Sequence, residues 1–243
     1  MNLLAFDTST DTLSIALLRD DGGGAPRYGQ HTGAGGAQAS STLIPAIQRL
    51  MNEAGLRFDE LDAIVFGRGP GSFTGLRTAC SVAQGLAFGA GVNVLPVDTL
   101  LAVAEQARHQ HCAGAGGAKV LALLDARMDE VYAAHYEFNS GLWSQCEGYG
   151  LIRPEGLVPP DGWQGDWLLA GNAFAAYAGR LPFAADVPRI QALPTAMAML
   201  RLAPALLAAG QAVRPEDALP TYIRDKVAQT TQERADLKAA AQA

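Results

Sequence analysis

The segment 63–97 constrains the fold most, because it has the pattern of a βαβ unit. Ala63–Phe66 is a short apolar run of the kind that forms a buried strand. A glycine-rich loop containing Pro70 follows, and then a stretch with apolar residues at helical spacing that ends in two glycines. Val92–Val97 predicts the next strand. Two strands joined through a helix are expected to be parallel, with a right-handed crossover.

The loop of this unit has two interpretations. Glycine occupies four of its positions, namely Gly67, Gly69, Gly71 and Gly75. Free backbone N–H groups beside a helix N-terminus commonly bind phosphate, but no lysine follows and the spacing matches neither common phosphate-binding motif. Alternatively, the glycines only permit a tight turn. Arg68 and Arg77 flank the loop, either as anion contacts or as ion-pair partners of a neighbour such as Asp62.

The first half of the chain has the element order of a ribonuclease-H-like domain. Three strands are expected at 3–7, 13–18 and 27–32, forming an antiparallel meander. An amphipathic helix over 40–54 follows, with Ser40 and Ser41 as N-caps and Pro45 in its first turn. After the βαβ unit, Asp98 or Thr99 caps a helix that ends near Gln110. The resulting order is β-β-β-α-β-α-β-α.

The second half repeats this order in reduced form. Segments 120–125 and 131–136 can be laid over the first two strands, with Asp125 in the place of Asp7. Further strands are expected at 143–152, 167–170 and 187–191, with helices over 172–180 and 195–209. A Pro-rich stretch over 154–165 replaces the helix that would follow the third strand. We therefore predict an α/β protein with a duplicated ribonuclease-H-like fold, the actin, sugar-kinase and Hsp70 architecture.

The domain boundaries follow from this repeat. We expect an N-terminal domain over 1–112, a reduced C-terminal domain over 118–210 and an extended tail over 211–243. The stretch 113–118 is low-complexity Gly and Ala, as expected of a boundary. The tail has prolines and a charged, polar composition that suggests a frayed terminal helix.

In such a fold, the groups that could hold a nucleotide lie at the ends of the first strand of each copy. The candidate nucleotide-binding residues are Asp7, Thr8, Ser9, Thr10, Gly69, Gly71 and Asp125. Hydroxyls could bind phosphate and Asp7 could orient Mg²⁺ through water, or these residues could simply close a hairpin. Arg127 and Met128 would crowd a second phosphate, and 168–172 is a weak candidate adenosine loop. Residual nucleotide binding is therefore possible, but turnover is not expected.

Other chemistry finds little support in the sequence. The four histidines, His31, His109, His111 and His135, form no metal-binding pair on one helical face. Ser72 does not sit in a G-x-S-x-G nucleophile elbow. The three cysteines include no C-x-x-C pair, which fits reduced thiols in a cytoplasmic protein. We predict no metal site and no catalytic residue.

Charge and hydropathy limit the partners further. The net charge is −6, whereas nucleic-acid binding depends on Lys and Arg, so the chain alone should not hold tRNA strongly. No apolar run is long enough to span a bilayer, and the N-terminus lacks the basic region of a signal peptide. We expect a cytoplasmic protein without a membrane partner.

Four segments carry a resemblance to a known family. They are LLAFDTSTDTLSIALL at 3–18, GRGPGSFTGLR at 67–77, LLDARMDEVYAAHY at 123–136 and PTYIRDKVA at 220–228. Together they resemble the bacterial TsaB family, formerly called YeaZ and once labelled glycoprotease-like. The resemblance implies a non-catalytic homologue of the TsaD family. Its expected role is to scaffold the complex that transfers threonylcarbamoyl to adenosine 37 of tRNAs reading codons that begin with A.

The resemblance also implies partners. These are a TsaD-like catalytic subunit and a TsaE-like ATPase, with tRNA contacted only through the complex, a homodimer when the chain is alone, and no cofactor beyond weak ATP or ADP. We expect the helices over 40–54 and 74–89 to face the partner, through Leu43, Ile47, Met51, Leu76, Ala79, Cys80, Ala83, Leu86 and Ala87. Ala83→Glu should then weaken partner binding and leave the monomer folded. The alternative is an ATP-binding or ATP-hydrolysing enzyme that uses Asp7.

Overall fold

The first half folds around a five-stranded mixed sheet. The computed structural model describes residues 1–112, 114, 116–159, 162–163 and 167–224. The elements of this half are β1 (Leu3–Asp7), β2 (Thr12–Arg19), β3 (Arg27–Ala34), α1 (Ala39–Ala54), β4 (Ala63–Gly69), α2 (Phe73–Ala90), β5 (Asn93–Asp98) and α3 (Thr99–His111). Strand order is β3-β2-β1-β4-β5, with β1, β4 and β5 parallel. The predicted order of elements is confirmed.

The second half repeats this sheet with a smaller set of helices. Its elements are β6 (Gly117–Asp125), β7 (Val131–Asn139), β8 (Leu142–Gln145), β9 (Gly150–Ile152), β10 (Leu168–Gly171), α4 (Ala173–Ala176), β11 (Arg189–Gln191) and α5 (Ala196–Ala208). Read from its other edge, the order β8-β7-β6-β10-β11 corresponds to β3-β2-β1-β4-β5 of the first sheet, with β6 in the place of β1. The duplicated, reduced architecture is therefore confirmed.

Several predicted bounds in the second half differ from the structure. The expected third strand is split into β8 and β9, which both pair with β7. The helix expected over 172–180 is only four residues long. The Pro-rich stretch holds one short 3₁₀ turn, Pro154–Gly156, where the first half has α1.

Helix α1 begins earlier than its capping signals predicted. A 3₁₀ turn, Gly36–Gln38, leads directly into Ala39, so Pro45 lies in the helix interior. The hydroxyls of Ser40 and Ser41 donate to the backbone carbonyls of residues 37 and 38, and neither accepts a capping bond. At the other helix, Asp98 caps α3 as expected, since its Oδ1 accepts from the amides of residues 100 and 101.

The first sheet is covered on both faces. Side chains of α1 and α2 pack with Leu4, Phe6 and Ile64 on one face. The opposite face, with Leu3, Ala5 and Val65, packs against α5. Successive residues of β1 therefore enter different cores, as the alternation along a strand requires.

Two helices pack against the sheet of the other half. Helix α3 follows β5 in the chain, yet Leu100, Val103 and Ala107 pack with residues of the second sheet. Helix α5 belongs to the second half by sequence, yet it covers the first sheet. This exchange joins the two predicted domains through shared cores.

The residues predicted to face a partner lie mostly in the first core. Eight of the nine are buried within the chain, namely Leu43, Ile47, Met51, Leu76, Ala79, Cys80, Ala83 and Ala87, while Leu86 is partly buried. Small and aliphatic residues at helical spacing mark a packed face, but here the face packs on the chain's own sheet. That part of the prediction is corrected: a partner can reach only the opposite side of each helix.

Residues 213–218 of the tail are docked on the first half. Val213 forms a bridge with Val94, and a 3₁₀ turn, Pro215–Asp217, follows. Ala218 is fully buried, and its carbonyl accepts from the Cys80 thiol and the Gln84 amide of α2. The frayed helix predicted at the end of the tail lies outside the described residues. Of the helices in the described ranges, none combines the length and hydropathy that a membrane-spanning segment requires.

Candidate functional site

A cleft of about 320 Å³ lies where the first strands of the two halves end. Its walls come from the β1–β2 turn, the β4–α2 loop, the β6–β7 turn and the tail, including Ser9, Thr10, Gly71, Asp125 and Arg224. The structure thus brings four of the seven candidate nucleotide-binding residues to one cavity. The other three, Asp7, Thr8 and Gly69, are not among the lining residues.

Asp7 is buried beneath the cleft wall. Its Oδ1 accepts hydrogen bonds from the Ser9 amide at 3.0 Å and the Ser9 hydroxyl at 2.7 Å. Among the described residues its Oδ2 has no hydrogen-bond partner, and Gly67 lies against it so closely that a Cβ there would fall 1.9 Å away. Burial raises the pKa of Asp7 to about 7, despite the two bonds from Ser9. A carboxyl without access to the cavity is poorly placed to orient a metal ion.

The hydroxyls after Asp7 are also occupied within the protein. The Thr8 hydroxyl is buried and donates to the Gly75 carbonyl at 2.6 Å. The Thr10 hydroxyl bonds to the backbone of Thr12, as in a local turn. The local, hairpin-closing interpretation fits the contact of Thr10, whereas Thr8 bonds to Gly75 of α2, far away in the sequence.

The glycines of the β4–α2 loop permit close packing against the β1–β2 turn. A Cβ on Gly71 would lie 2.6 Å from the Ser9 Cβ, and one on Gly75 would lie 1.9 Å from the Thr8 carbonyl oxygen. The Ser72 amide donates to the Ser9 carbonyl at 2.7 Å. The loop thus lies against the segment that would hold the first phosphate, and its glycines serve this contact.

The β6–β7 turn, where a second phosphate would bind, is occupied by the side chains of the turn itself. Arg127, Met128 and Asp129 all have left-handed backbone angles, with φ of 61°, 56° and 59°. Arg127 reaches across the cleft to Asp11 of the first half at 2.6 Å and also pairs with Asp125 at 3.3 Å. The predicted crowding of the second phosphate position agrees with this arrangement.

The candidate adenosine loop is a backbone junction. Asn172 Oδ1 accepts from the Asp125 amide at 2.8 Å, and Asp125 Oδ1 accepts from the Tyr177 hydroxyl at 2.9 Å. A Cβ on Gly171 would lie 1.7 Å from the Leu123 carbonyl oxygen. Asn172 lines the cavity, but its side-chain oxygen already holds β6 in place.

Sequence reasoning missed a polar cluster that joins the halves beneath the cleft. The Tyr136 hydroxyl donates to Asp98 Oδ2 at 2.6 Å, and burial raises the pKa of Asp98 despite that bond. Arg68 contacts the Tyr149 hydroxyl at 3.5 Å, and burial raises the pKa of Tyr149 to about 12. These residues come from distant segments, so no local motif could have revealed the cluster. Arg68 therefore faces protein groups in this structure.

Metal ligands do not gather in the part of the chain that the structure describes, where no group of three His, Cys, Asp or Glu side chains could hold an ion. His31 lies beside Arg49, and His135 contacts the Val158 carbonyl at 3.1 Å.

Comparison with known proteins identifies the family. Residues 34–234 match the family model described as TsaD, tRNA N6-adenosine threonylcarbamoyltransferase. The chain is 35% identical to the tRNA threonylcarbamoyladenosine biosynthesis protein TsaB of Escherichia coli strain K12, over 94% of this chain and 96% of that protein. The chain belongs to the TsaB family. The TsaB of Haemophilus influenzae is 33% identical, over 93% of this chain and 95% of the relative.

A solved structure supports the same family and fold. YeaZ from Pseudomonas aeruginosa superimposes with a TM-score of 0.80 and 37% identity, covering 91% of this chain and 99% of that one. The TsaB-family fold thus extends over most of the chain. The resemblance drawn from the four segments is confirmed.

Proposed function

We propose that this TsaB-family chain is a non-catalytic scaffold subunit in the biosynthesis of threonylcarbamoyladenosine on tRNA. The carrying observation is that hydroxyls expected to bind phosphate already have partners within the protein: the Ser9 hydroxyl donates to Asp7, and the Thr8 hydroxyl donates to the Gly75 carbonyl. Hydroxyls engaged in this way offer little to a triphosphate. Activity then belongs to the assembly, with the catalytic step on a TsaD-like subunit and with a TsaE-like ATPase as a further member.

The outward side of α1 and α2 supports a protein partner. Helix α2 has eighteen residues and one charged side chain, Arg77, while Phe88 is 81% exposed. Ser81, Gly85 and Gly89 lie on the same exposed row, and a Cβ on either glycine would meet no atom within 4 Å. An exposed aromatic beside small residues allows close approach of another helix and is typical of interfaces. We assign this side, together with Ile44 of α1, to the TsaD-like subunit.

The same side is proposed to mediate self-association when the partner is absent. The TsaB and TsaD families are related, so a surface that binds a TsaD-like fold can also meet a second copy of this chain. Sedimentation analysis should therefore show a homodimer that the TsaD-like subunit competes away.

Phe88→Asp tests the assignment of the interface. An exposed side chain contributes little to folding, so the variant should stay folded while binding to the TsaD-like subunit falls about tenfold or more. Leu142→Asp is the matched control, because Leu142 is also an exposed apolar residue, 63% accessible, but lies at the edge of the second sheet. Calorimetric titration measures both. Equal affinities for the two variants would exclude α2 as the docking helix.

Nucleotide binding is the competing proposal, and the cleft of about 320 Å³ is the observation in its favour. We expect titration with Mg-ATP to give no binding tighter than about 1 mM, which corresponds to about −4 kcal/mol. Binding in the micromolar range that is lost in Asp7→Ala would instead support an ATP-dependent enzyme. Asp59→Ala is the matched control, because it removes the same side chain at an exposed position.

Charge and cysteine chemistry fit this role. A net charge of −6 supports contact with tRNA only through the complex. Cys80, Cys112 and Cys146 are unpaired, which favours a reducing compartment such as the cytoplasm.

A further inference from the structure

Two of the signature segments touch each other across the cleft. The loop Gly67–Arg77 and the tail segment Thr221–Arg224 are far apart in sequence, and both belong to the four segments that carry the family resemblance. Residues of both line the same cavity, opposite the β6–β7 turn. Their mutual contacts give them a common purpose.

The tail is fitted to the glycine-rich loop by backbone and aromatic contacts. The Thr221 amide donates to the Arg68 carbonyl at 2.7 Å, and a Cβ on Gly69 would lie 2.5 Å from the Thr221 carbonyl oxygen. The Tyr222 ring packs on Phe73 at 5.1 Å between centroids, and its hydroxyl accepts from Arg77 Nε at 3.1 Å. Gly69 has a φ of 120°, so the loop needs glycine at the point of contact with the tail.

Arg224 then joins the tail to the other half. Its guanidinium pairs with Glu130 at 2.8 Å and donates to the carbonyls of Ala126 at 3.0 Å and Arg127 at 3.3 Å. The side chain is only 12% exposed, so this pair is better shielded from water than an ordinary surface ion pair. It grips the turn whose three left-handed residues carry backbone strain.

We propose that Thr221–Arg224 is a latch that holds the cleft between the two halves closed. One end is anchored on the β4–α2 loop, and Arg224 fastens the other end to the β6–β7 turn. The latch lines the same cavity as Ser9, Thr10 and Asp125. Release of Arg224 increases the mobility of both walls of the cleft. The β6–β7 turn loses the hydrogen bonds from Arg224, and the β4–α2 loop loses its contact with the tail.

Amide hydrogen exchange on the full chain tests the latch. In Arg224→Ala, exchange should be about tenfold faster at the Ala126 and Glu130 amides and also at the Ser72 amide on the opposite wall, equivalent to about 1.4 kcal/mol of lost protection. Arg224→Lys keeps one charge but not the fork of donors, so its effect should be intermediate. Arg214→Ala is the matched control, since Arg214 pairs only within the exposed 214–217 turn.

Exchange confined to residues 221–224, or equal in Arg224→Ala and Arg214→Ala, would overturn the latch. Should Arg224→Ala not fold, Tyr222→Phe provides the same test at the other anchor, because it keeps the ring and loses only the bond from Arg77. It should speed exchange at Ser72 and at Ala126, and unchanged exchange at both would equally overturn the proposal. The experiment needs no partner, so its outcome is independent of the scaffold role.

Discussion

Ala83→Glu is expected to prevent folding of the chain. Ala83 is fully buried between α2 and the first sheet, among residues such as Ile64 and Phe66. An unpaired carboxylate in that position, together with the added volume, should cost more than about 4 kcal/mol, a large part of the stability of an ordinary domain. Near-ultraviolet circular dichroism should show loss of fixed aromatic packing.

Gly85→Glu is the matched control for this substitution. It introduces the same side chain two residues further along α2, where a Cβ meets no atom within 4 Å. Replacing glycine in a helix interior should even add about 0.5 kcal/mol of stability. Gly85→Glu should therefore fold while losing partner affinity. A folded Ala83→Glu variant with unchanged thermal midpoint would contradict the packing of α2 described above.

Asp7→Asn is expected to remove most of a pH dependence from the stability of the protein. The pKa of Asp7 is about 7 in the folded chain and 3.8 in an unfolded one, so the folded state holds the extra proton between these values. Stability from this group is therefore greatest at low pH and falls as the pH rises through 7. Asparagine does not titrate, and its oxygen can still accept both bonds from Ser9.

Urea unfolding at pH 5 and pH 8 measures this effect. The free energy of unfolding of Asp7→Asn relative to the original chain should rise by about 3 kcal/mol between the two. Other titrating groups cancel in the comparison, because they are present in both proteins. Asp59→Asn is the control: Arg57 lowers the pKa of the exposed Asp59, so its difference should stay flat over this range. Parallel curves for Asp7→Asn would show that Asp7 ionises as an exposed carboxyl does.

The order of elements along the chain was predictable from the sequence, whereas the sheet against which each helix packs was not. Alternating or continuous apolar runs identify strands such as β1 and β4, and the repeat of Asp7 as Asp125 revealed the duplication. An amphipathic pattern shows that α3 and α5 have a buried side, but it does not show which sheet covers it. The placement of α5 depends on contacts between opposite ends of the chain, since Met199 shares a core with Leu3, and no local pattern signals such a contact.

Four of the seven candidate nucleotide-binding residues lie together in the structure, and their role in binding stays a prediction. Ser9, Thr10, Gly71 and Asp125 do line one cleft, as the fold class predicts. Thr8 bonds to Gly75 in the first turn of α2, a contact that a single sequence cannot place, while Asp7 bonds to the amide and the hydroxyl of nearby Ser9. In the same way, the alanines of α2 suit either a partner or a sheet, and only the three-dimensional packing distinguishes these two surroundings.

The tail shows a further limit of sequence reasoning. A charged and polar composition predicted an extended tail with a frayed terminal helix, but it gave no sign that Ala218 is buried or that Arg224 has four partners in the opposite half. Each contact joins residues about a hundred positions apart or more, so no local pattern signals it. Composition therefore describes the average character of the tail and misses its anchors.

Reconstituted modification of tRNA most directly tests whether this chain acts by its surface or by nucleotide chemistry. The assay combines the chain with a TsaD-like subunit, a TsaE-like ATPase and threonylcarbamoyl-AMP, and compares Phe88→Asp with Asp7→Asn. Surface action predicts that Phe88→Asp loses about tenfold or more of the activity at limiting concentration, while Asp7→Asn supports full modification. Full activity with Phe88→Asp and none with a folded Asp7→Asn would contradict the scaffold role.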